Sequence, residues 1–194
     1  METLKHPLFK ILFLSGILVL IAIPLMAVRS PKTSQFILLP SPTPTPAPET
    51  NVHSLDGTLK LIMRTKTADS STSYSFFTAD TSGKNEKPLF AKTVTSETTM
   101  LLPANSWSPD NKLVFLRENG PSSFNILVFK VSGDPFSNNQ LYLSVVPLFV
   151  VRKTGYYIAD VTGWDSDTLL HVKTTGPSYW FDVDSLAFLQ LASR

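Results

Sequence analysis

Four oxygen-bearing side chains near position 165 are the clearest candidates for chemistry in this chain of 194 residues. Asp165, Ser166 and Asp167 are consecutive, and Asp160 precedes them by a few positions. Carboxylate and hydroxyl oxygens are ligands that Ca²⁺ takes in proteins. A calcium loop would need another acidic or amide residue at position 169, where Leu169 stands. A tight turn between strands is therefore the favoured interpretation, and a calcium site is the alternative.

Other catalytic chemistry is limited by what the sequence lacks. The chain has no cysteine, which excludes cysteine catalysis. His53 and His171, the two histidines of residues 51–194, are too few for a multi-histidine zinc site. His171 alternates with Leu170 and Val172, which favours a structural histidine on a strand over a catalytic base. No Gly-x-Ser-x-Gly, His-Glu-x-x-His, phosphate-loop or dinucleotide motif occurs. The sequence predicts no enzyme activity and no catalytic, metal-binding or cofactor-binding residue.

Aromatic side chains are concentrated in the last third of the chain. Exposed aromatic rings can bind sugars or peptides, but packing between sheets is the favoured interpretation because aromatic rings dominate β-sheet cores. The residues concerned are Tyr156, Tyr157, Trp164, Tyr179 and Trp180.

The elements that position these residues are short β-rich runs between turn clusters, without long helical periodicity, so we expect an all-β domain. The expected strands are Leu59 to Arg64, Tyr74 to Thr78, Thr99 to Leu102, Leu113 to Arg117, Phe124 to Val131, Leu141 to Val151, Tyr156 to Val161, Leu169 to Lys173, Tyr179 to Val183 and Leu186 to Leu191.

Three stretches of this region can be superimposed as a repeat. They begin at His53, Trp107 and Trp164, and the best copy reads Trp-Ser-Pro-Asp-Asn before a hydrophobic strand. In that copy proline fixes φ at the first corner of a turn and asparagine tolerates a left-handed conformation. The second and third copies also continue alike, with Gly-Pro-Ser at Gly120 and again at Gly176.

The repeat resembles that of TolB-type β-propellers, which also builds the propeller domains of the prolyl oligopeptidase and dipeptidyl peptidase families. Residues Trp107 to Gly133 match its pattern best. The first copy departs from it at His53 and Leu55, and the third departs at Asp165, Ser166 and Thr168. The resemblance implies four-stranded antiparallel sheets for residues 51–194. Because the Gly-x-Ser-x-Gly motif is missing, we expect no counterpart of the hydrolase domain that accompanies peptidase propellers.

A closed propeller usually needs four to eight sheets, and this chain has at most three. The proline-rich segment also occupies the place where the first copy would have its first strand. We expect a partial propeller or an open stack of antiparallel sheets. Two chains that complete a ring head to tail are the alternative, because unpaired edges favour association.

The N-terminal region predicts a membrane anchor and a linker. Residues 11–28 carry no charge and as a helix would cover about 27 Å, close to the thickness of a bilayer core. We expect residues 1–10 to form a cytosolic head, residues 11–28 a transmembrane helix and residues 29–50 a Pro/Thr-rich linker, with residues 51–194 outside the cytoplasm. A cleaved signal peptide is the alternative, and the best cleavage site, at 25–27, has a bulky residue where a small one is preferred.

The linker contains prolines at alternate positions from Pro40, which favours a polyproline II spacer over a ligand for a proline-recognising module. Before it lies an apolar run, residues 36–39, that is either an interfacial patch or an edge strand.

Charge excludes one class of partner. The chain has 17 basic and 15 acidic residues; four of the basic and two of the acidic ones precede residue 51, so residues 51–194 carry no net charge. A nucleic-acid-binding domain would show a basic excess. The sequence therefore favours a non-enzymatic, membrane-anchored envelope protein for protein interaction or scaffolding. The alternatives are a module that binds cell-wall glycan, peptide or calcium, and a non-catalytic fragment of a peptidase-associated propeller.

Overall fold

The computed structural model describes residues 47–137 and 139–192, which form three four-stranded antiparallel sheets. The predicted all-β class is confirmed. In each sheet the strands pair in chain order. The first sheet contains β1 (Glu49–His53), β2 (Leu59–Ala68), β3 (Ser71–Asp80) and β4 (Lys87–Thr95); the second contains β5 (Thr99–Leu101), β6 (Leu113–Asn119), β7 (Phe124–Lys130) and β8 (Tyr142–Ser144); after the short helix α1 (Val145–Val150), the third contains β9 (Ile158–Trp164), β10 (Leu169–Thr174), β11 (Tyr179–Asp182) and β12 (Ala187–Gln190).

The second sheet is buried on both faces because it lies between the other two. Alternate residues of β6 point to opposite sides, so Phe115 packs toward the third sheet and Val114 and Leu116 pack toward the first. All three are at most 1 % exposed. Strands buried on both faces read as continuous apolar runs, which explains the four consecutive buried apolar residues in each of β6 and β7.

The chain order of the strands places the connections at two ends of the domain. The connections from first to second strand, at 54–58, 102–112 and 165–168, and those from third to fourth strand lie at one end, which we call the turn end. The connections from second to third strand and from one sheet to the next lie at the opposite end. There the chain also enters β1 from Ala47, so we call this the entry end.

Two sequence expectations about strands are wrong. The sequence predicts one strand over Leu141 to Val151. In the structure the strand, β8, ends at Ser144 and the helix α1 follows it. Proline is tolerated in the first turn of a helix, where Pro147 lies. Val145 and Phe149, four residues apart, share one helix face and are buried. The sequence predicts a linker, and not a strand, before the first copy of the repeat, but the structure has β1 there. The strand β4 has no counterpart among the expected strands.

The predicted head, transmembrane helix and most of the linker, together with the apolar run 36–39, lie outside the described residues. Within residues 47–137 and 139–192, no helix has both the length and the apolar character that a bilayer crossing requires.

The two Gly-Pro-Ser segments occupy equivalent turns, between β6 and β7 and between β10 and β11, and they generate a stability prediction. A Cβ added at Gly176 would overlap the ring of Tyr156, whereas one at Gly120 would lie 3.3 Å from a backbone oxygen. The Tyr156 ring is 42 % exposed and must move to admit the methyl group, so we expect Gly176→Ala to lower the free energy of unfolding by about 0.5–1.5 kcal/mol, the cost of an off-rotamer side chain. Gly120→Ala, the matched control, should lower it by less than about 1 kcal/mol in urea titrations. Equal losses in the two variants would contradict the packing described for Tyr156.

Candidate functional site

The connections at the turn end share one hydrogen-bond pattern in the first two sheets. The Ser54 hydroxyl donates to Asp56 Oδ1 over 2.7 Å and accepts from the Leu59 amide over 3.0 Å. Ser108 does the same with Asp110, at 2.8 Å, and with the amide of Leu113, at 2.9 Å. The residues after the two aspartates, Gly57 and Asn111, have positive φ angles of 71° and 59°. The repeat read from the sequence is therefore present as equivalent turns in these two sheets.

The turn of the third sheet has the same closing bond but is one residue shorter. The Asp165 amide donates to the Leu169 carbonyl over 2.9 Å, as the Ser108 amide donates to the carbonyl of Leu113 over 2.9 Å. Leu169, and not Leu170, is thus equivalent to Leu113. The sequence repeat aligns the third copy with the second without a gap. That alignment is correct at Trp164 but wrong by one residue after the turn.

Tryptophan side chains join each sheet to the one before it. The Trp107 indole N–H donates to the Val52 carbonyl of the first sheet over 3.1 Å. The Trp164 indole N–H donates to the Ser106 carbonyl of the second sheet over 2.9 Å. Val52 and Ser106 each precede the first residue of a repeat copy, so the two bonds are equivalent. Each indole also packs in the apolar layer between its sheet and the preceding one.

Ion pairs join the sheets nearer the entry end. Lys92 of the first sheet lies 2.6 Å from a carboxylate oxygen of Glu118 in the second. Arg117 of the second lies 2.8 Å from Asp160 of the third, and its guanidinium lies 4.0 Å from the centroid of Phe124. The second sheet is therefore tied to both neighbours at both ends.

The structure does not bring the predicted calcium ligands together. Asp160 pairs with Arg117, and Asp165 Oδ2 accepts the Trp180 indole N–H over 2.6 Å. Asp167 instead lines a cavity of about 480 Å³ at the turn end, where Lys112 also lies. Ser166 Oγ accepts the amide of Leu169 within its own turn. In the part of the chain that the structure describes, no three His or acidic residues are grouped so that they could hold a metal ion.

The two histidines of the domain are separated. His171 Nδ1 lies 2.7 Å from Thr162 Oγ1, within the third sheet. His53 ends β1, opposite Lys60 of β2, and is exposed. In neither arrangement does the imidazole lie between a nucleophile and an orienting carboxylate, as it does in a catalytic triad.

The aromatic group read from the sequence separates into three locations. Trp164 and Tyr179 pack between the second and third sheets, where the Tyr179 ring lies 5.3 Å from that of Phe149. Trp180 lies on the opposite face of β11. Tyr156 and Tyr157 precede β9 and are exposed. No single aromatic site exists among the described residues, and the strand alternation around Trp180 was the available signal that separates it from Tyr179.

The outer face of the first sheet is closed by an ion-pair network. The Arg64 guanidinium donates two bonds of 2.7 Å to Glu86 and one of 3.1 Å to Glu49, and it lies 4.8 Å from the centroid of the Phe77 ring. The carboxylates, Glu86 first, raise the pKa of Arg64 above its usual value. Ile62, the cross-strand partner of Phe77, is only 1 % exposed. This terminal face is thus polar toward solvent.

The outer face of the third sheet is open and more apolar. Its central row is His171, Trp180 and Leu189, which are cross-strand neighbours, and Leu169 lies in the next row. Leu189 is 47 % exposed. The polar atoms in the row already have partners, because Asp165 accepts the indole N–H and Thr162 bonds the imidazole. We call Leu169, His171, Trp180 and Leu189 the docking face. These residues offer a partner chiefly the surfaces of aromatic rings and methyl groups.

No protein-family model, no curated protein and no solved structure matches the chain. What the domain does must therefore be inferred from its geometry.

The carboxylates of the equivalent turns generate a prediction about pH. The Ser54 hydroxyl, followed by the Thr58 amide, lowers the pKa of Asp56 to about 2 from 3.8. A group whose pKa is lower in the folded state contributes stability above its unfolded pKa and loses it as pH falls through the folded value. We expect the free energy of unfolding to decrease between about pH 4 and pH 2, and to decrease less steeply in Asp56→Asn.

The control for this titration is Asp69→Asn, in the turn between β2 and β3, where the structure gives the carboxylate no hydrogen bond. Its urea-unfolding profile should have the same slope as that of the unsubstituted chain. A profile for Asp56→Asn as steep as that of the control would show that the turn bonds do not hold the aspartate ionised.

Proposed function

We propose that the chain is a non-enzymatic, single-pass membrane protein whose β-sheet domain lies outside the cytoplasm and binds a protein partner through the docking face. The observation that carries the proposal is the difference between the two terminal faces. Ion pairs cover the first, whereas the second presents Trp180 and Leu189. Partly exposed apolar surface centred on a tryptophan is characteristic of protein interaction sites.

The proposal includes a TolB-like repeat that forms a partial propeller. It is supported by three four-stranded sheets in chain order, by the equivalent turns at Ser54 and Ser108, and by the indole bonds of Trp107 and Trp164. In stacked-repeat proteins only the end units need a polar outer face. The first sheet has such a face and the third does not, so the third is where a further sheet or domain would continue the stack.

A second copy of this chain, joined head to tail, fits less well than a different protein. It would press the docking face against Arg64, Glu49 and Glu86. Ion pairs that lose contact with water are stabilised little or not at all by their mutual attraction, because desolvation opposes it. A partner with an apolar surface has no such cost.

The membrane anchor in the proposal is supported by the uncharged run 11–28 and the proline-rich linker that follows it. A single span near the N-terminus, a linker and one domain form the arrangement of a protein that displays its domain at a membrane surface. The absence of net charge in residues 51–194 favours a protein partner over nucleic acid.

Site-specific photo-crosslinking in producing cells tests the docking face. A photoreactive phenylalanine analogue would replace Leu189 in one variant and, as the matched control, Ala91 in another. Ala91 is exposed on β4, the edge strand of the first sheet, as Leu189 is on β12, the edge strand of the third. We expect one discrete protein adduct from position 189 and none from position 91.

A third variant combines the probe at position 189 with Trp180→Ala. We expect its adduct to decrease at least about ten-fold, because truncation of a central interface tryptophan commonly costs 2 kcal/mol or more. Equal adducts from positions 189 and 91 would refute the proposal. An adduct removed by glycan-degrading enzymes would favour the glycan-binding alternative instead.

A further inference from the structure

The segment from the last residue of α1 to the start of β9 carries an exposed apolar patch that the docking face does not explain. Its members are Val150, Val151, Tyr156 and Tyr157, with exposed fractions of 59, 70, 42 and 72 %. They are half of the large hydrophobic side chains that are exposed among the described residues, within eight consecutive positions. Such a concentration marks a contact surface, whereas scattered exposed apolar residues do not. We call these four residues the loop patch.

The loop patch is held in place by the sheets. Phe149, which precedes it in α1, is 1 % exposed and packs on the rings of Tyr179 and Phe188. The Tyr157 amide donates to Thr175 Oγ1 over 3.1 Å, and the Thr175 amide donates to the Tyr157 carbonyl over 2.9 Å. The backbone of the segment is therefore anchored at both ends, which lowers the entropic cost of binding.

The loop patch lies at the entry end of the domain. Val150 and Tyr157 line a cavity of about 310 Å³ together with Ser122 and Ser123 of the turn between β6 and β7. Thr175, which bonds Tyr157, belongs to the turn between β10 and β11. Both turns are at the end where the chain enters β1 from Ala47. The 46 residues that precede Ala47, with their uncharged run 11–28, thus join the domain at the end that carries the loop patch.

The charge around the loop patch is positive. Arg152 and Lys153 lie between its two halves, and no acidic residue occurs from Val145 to Ile158. The Arg152 side chain is directed away from the entry end, because it donates over 2.8 Å to the carbonyl of Leu186, in the connection between β11 and β12. Lys153 is exposed and is the basic residue left to face outward. Tyrosine and valine beside basic residues are the composition of segments that lie at the boundary between lipid headgroups and acyl chains. Of the acidic residues toward the same end, Asp69 lies in a turn of the first sheet and Glu97 in the connection from the first sheet to the second. Asp160, three positions after Tyr157, is paired with Arg117, and Glu49 and Glu118 are paired with Arg64 and Lys92.

We infer that the loop patch contacts the surface of an anionic lipid bilayer, with Val151 and Tyr157 at the headgroup boundary and Lys153 facing lipid phosphates. The inference rests on the membrane anchor in the proposed function. A linker limits how far a domain can move from its anchor and maintains a high effective concentration near the surface, so a weak contact suffices. Anionic headgroups attract a basic residue beside the apolar side chains that contact the bilayer.

The experiment uses the full chain, which contains no cysteine, reconstituted into vesicles of phosphatidylcholine with and without phosphatidylglycerol. Val151→Cys carries an environment-sensitive fluorophore, and Leu55→Cys carries the same label as the matched control. Leu55 is 74 % exposed and lies in a turn at the opposite end. Spin-labelled lipids serve as quenchers. With anionic lipid we expect quenching at position 151 to exceed that at position 55 at least three-fold.

Charge reversal provides a second readout. Lys153→Glu should reduce the quenching at position 151 about two- to five-fold, whereas Lys84→Glu, an exposed lysine in a turn-end connection, should leave it unchanged. If the chain floats with the vesicles in a density gradient but both labels are quenched equally, the lipid contact is refuted and the membrane anchor is retained. A label at position 151 that is shielded from water yet not quenched by lipid would refute the lipid contact in favour of a contact with the chain itself or with a second copy of it. A chain that does not float with vesicles would refute the anchor and the contact together.

Discussion

The constraint on which this fold depends is that flat sheets of one chain must stack face to face in a fixed order. Apolar packing between sheets has little direction, but the indole N–H groups of Trp107 and Trp164 do have direction, and each finds a carbonyl at the equivalent position of the preceding sheet. The bond from Trp107 fixes the second sheet on the first, and the bond from Trp164 fixes the third on the second. The ion pairs of Lys92 and Arg117 repeat the connection nearer the entry end.

A stack of this kind has two terminal faces, and in this chain one face is polar and the other is more apolar. On the first sheet, Arg64 and its carboxylate partners cover Ile62 and Phe77, so that face ends the stack. On the third sheet, Trp180 and its neighbours remain open. The proposed partner site follows from this difference between the two terminal faces. The proposed lipid contact instead follows from the position of the loop patch at the entry end. The two surfaces involve separate residues, so one domain can engage a protein and a bilayer together.

Much of the architecture could be predicted from the sequence because its signals are local. Ser108, Pro109 and Asp110 fix a turn by their own geometry, and β6 follows as an apolar run. The strand β4 and the face on which Trp180 lies depend on pairing with distant residues, which no local pattern encodes. Leu141 to Val151 reads as one apolar run, but the helical packing of Phe149 on the third sheet decides its second half. The acidic residues near position 165 were grouped by sequence distance, whereas a strand separates the side chains of Asp160 and Asp165 in space.

The most direct test of this account replaces each of the three tryptophans of the chain by phenylalanine and measures the free energy of unfolding in urea. Trp107→Phe and Trp164→Phe each remove a bond between sheets, and each should lower the free energy by about 1–3 kcal/mol. Trp180→Phe removes a bond to the exposed carboxylate of Asp165 within one sheet and should lower it by less than about 1 kcal/mol. Equal losses at all three positions, or the largest loss at Trp180, would contradict the claim that the indole bonds hold the sheets in order.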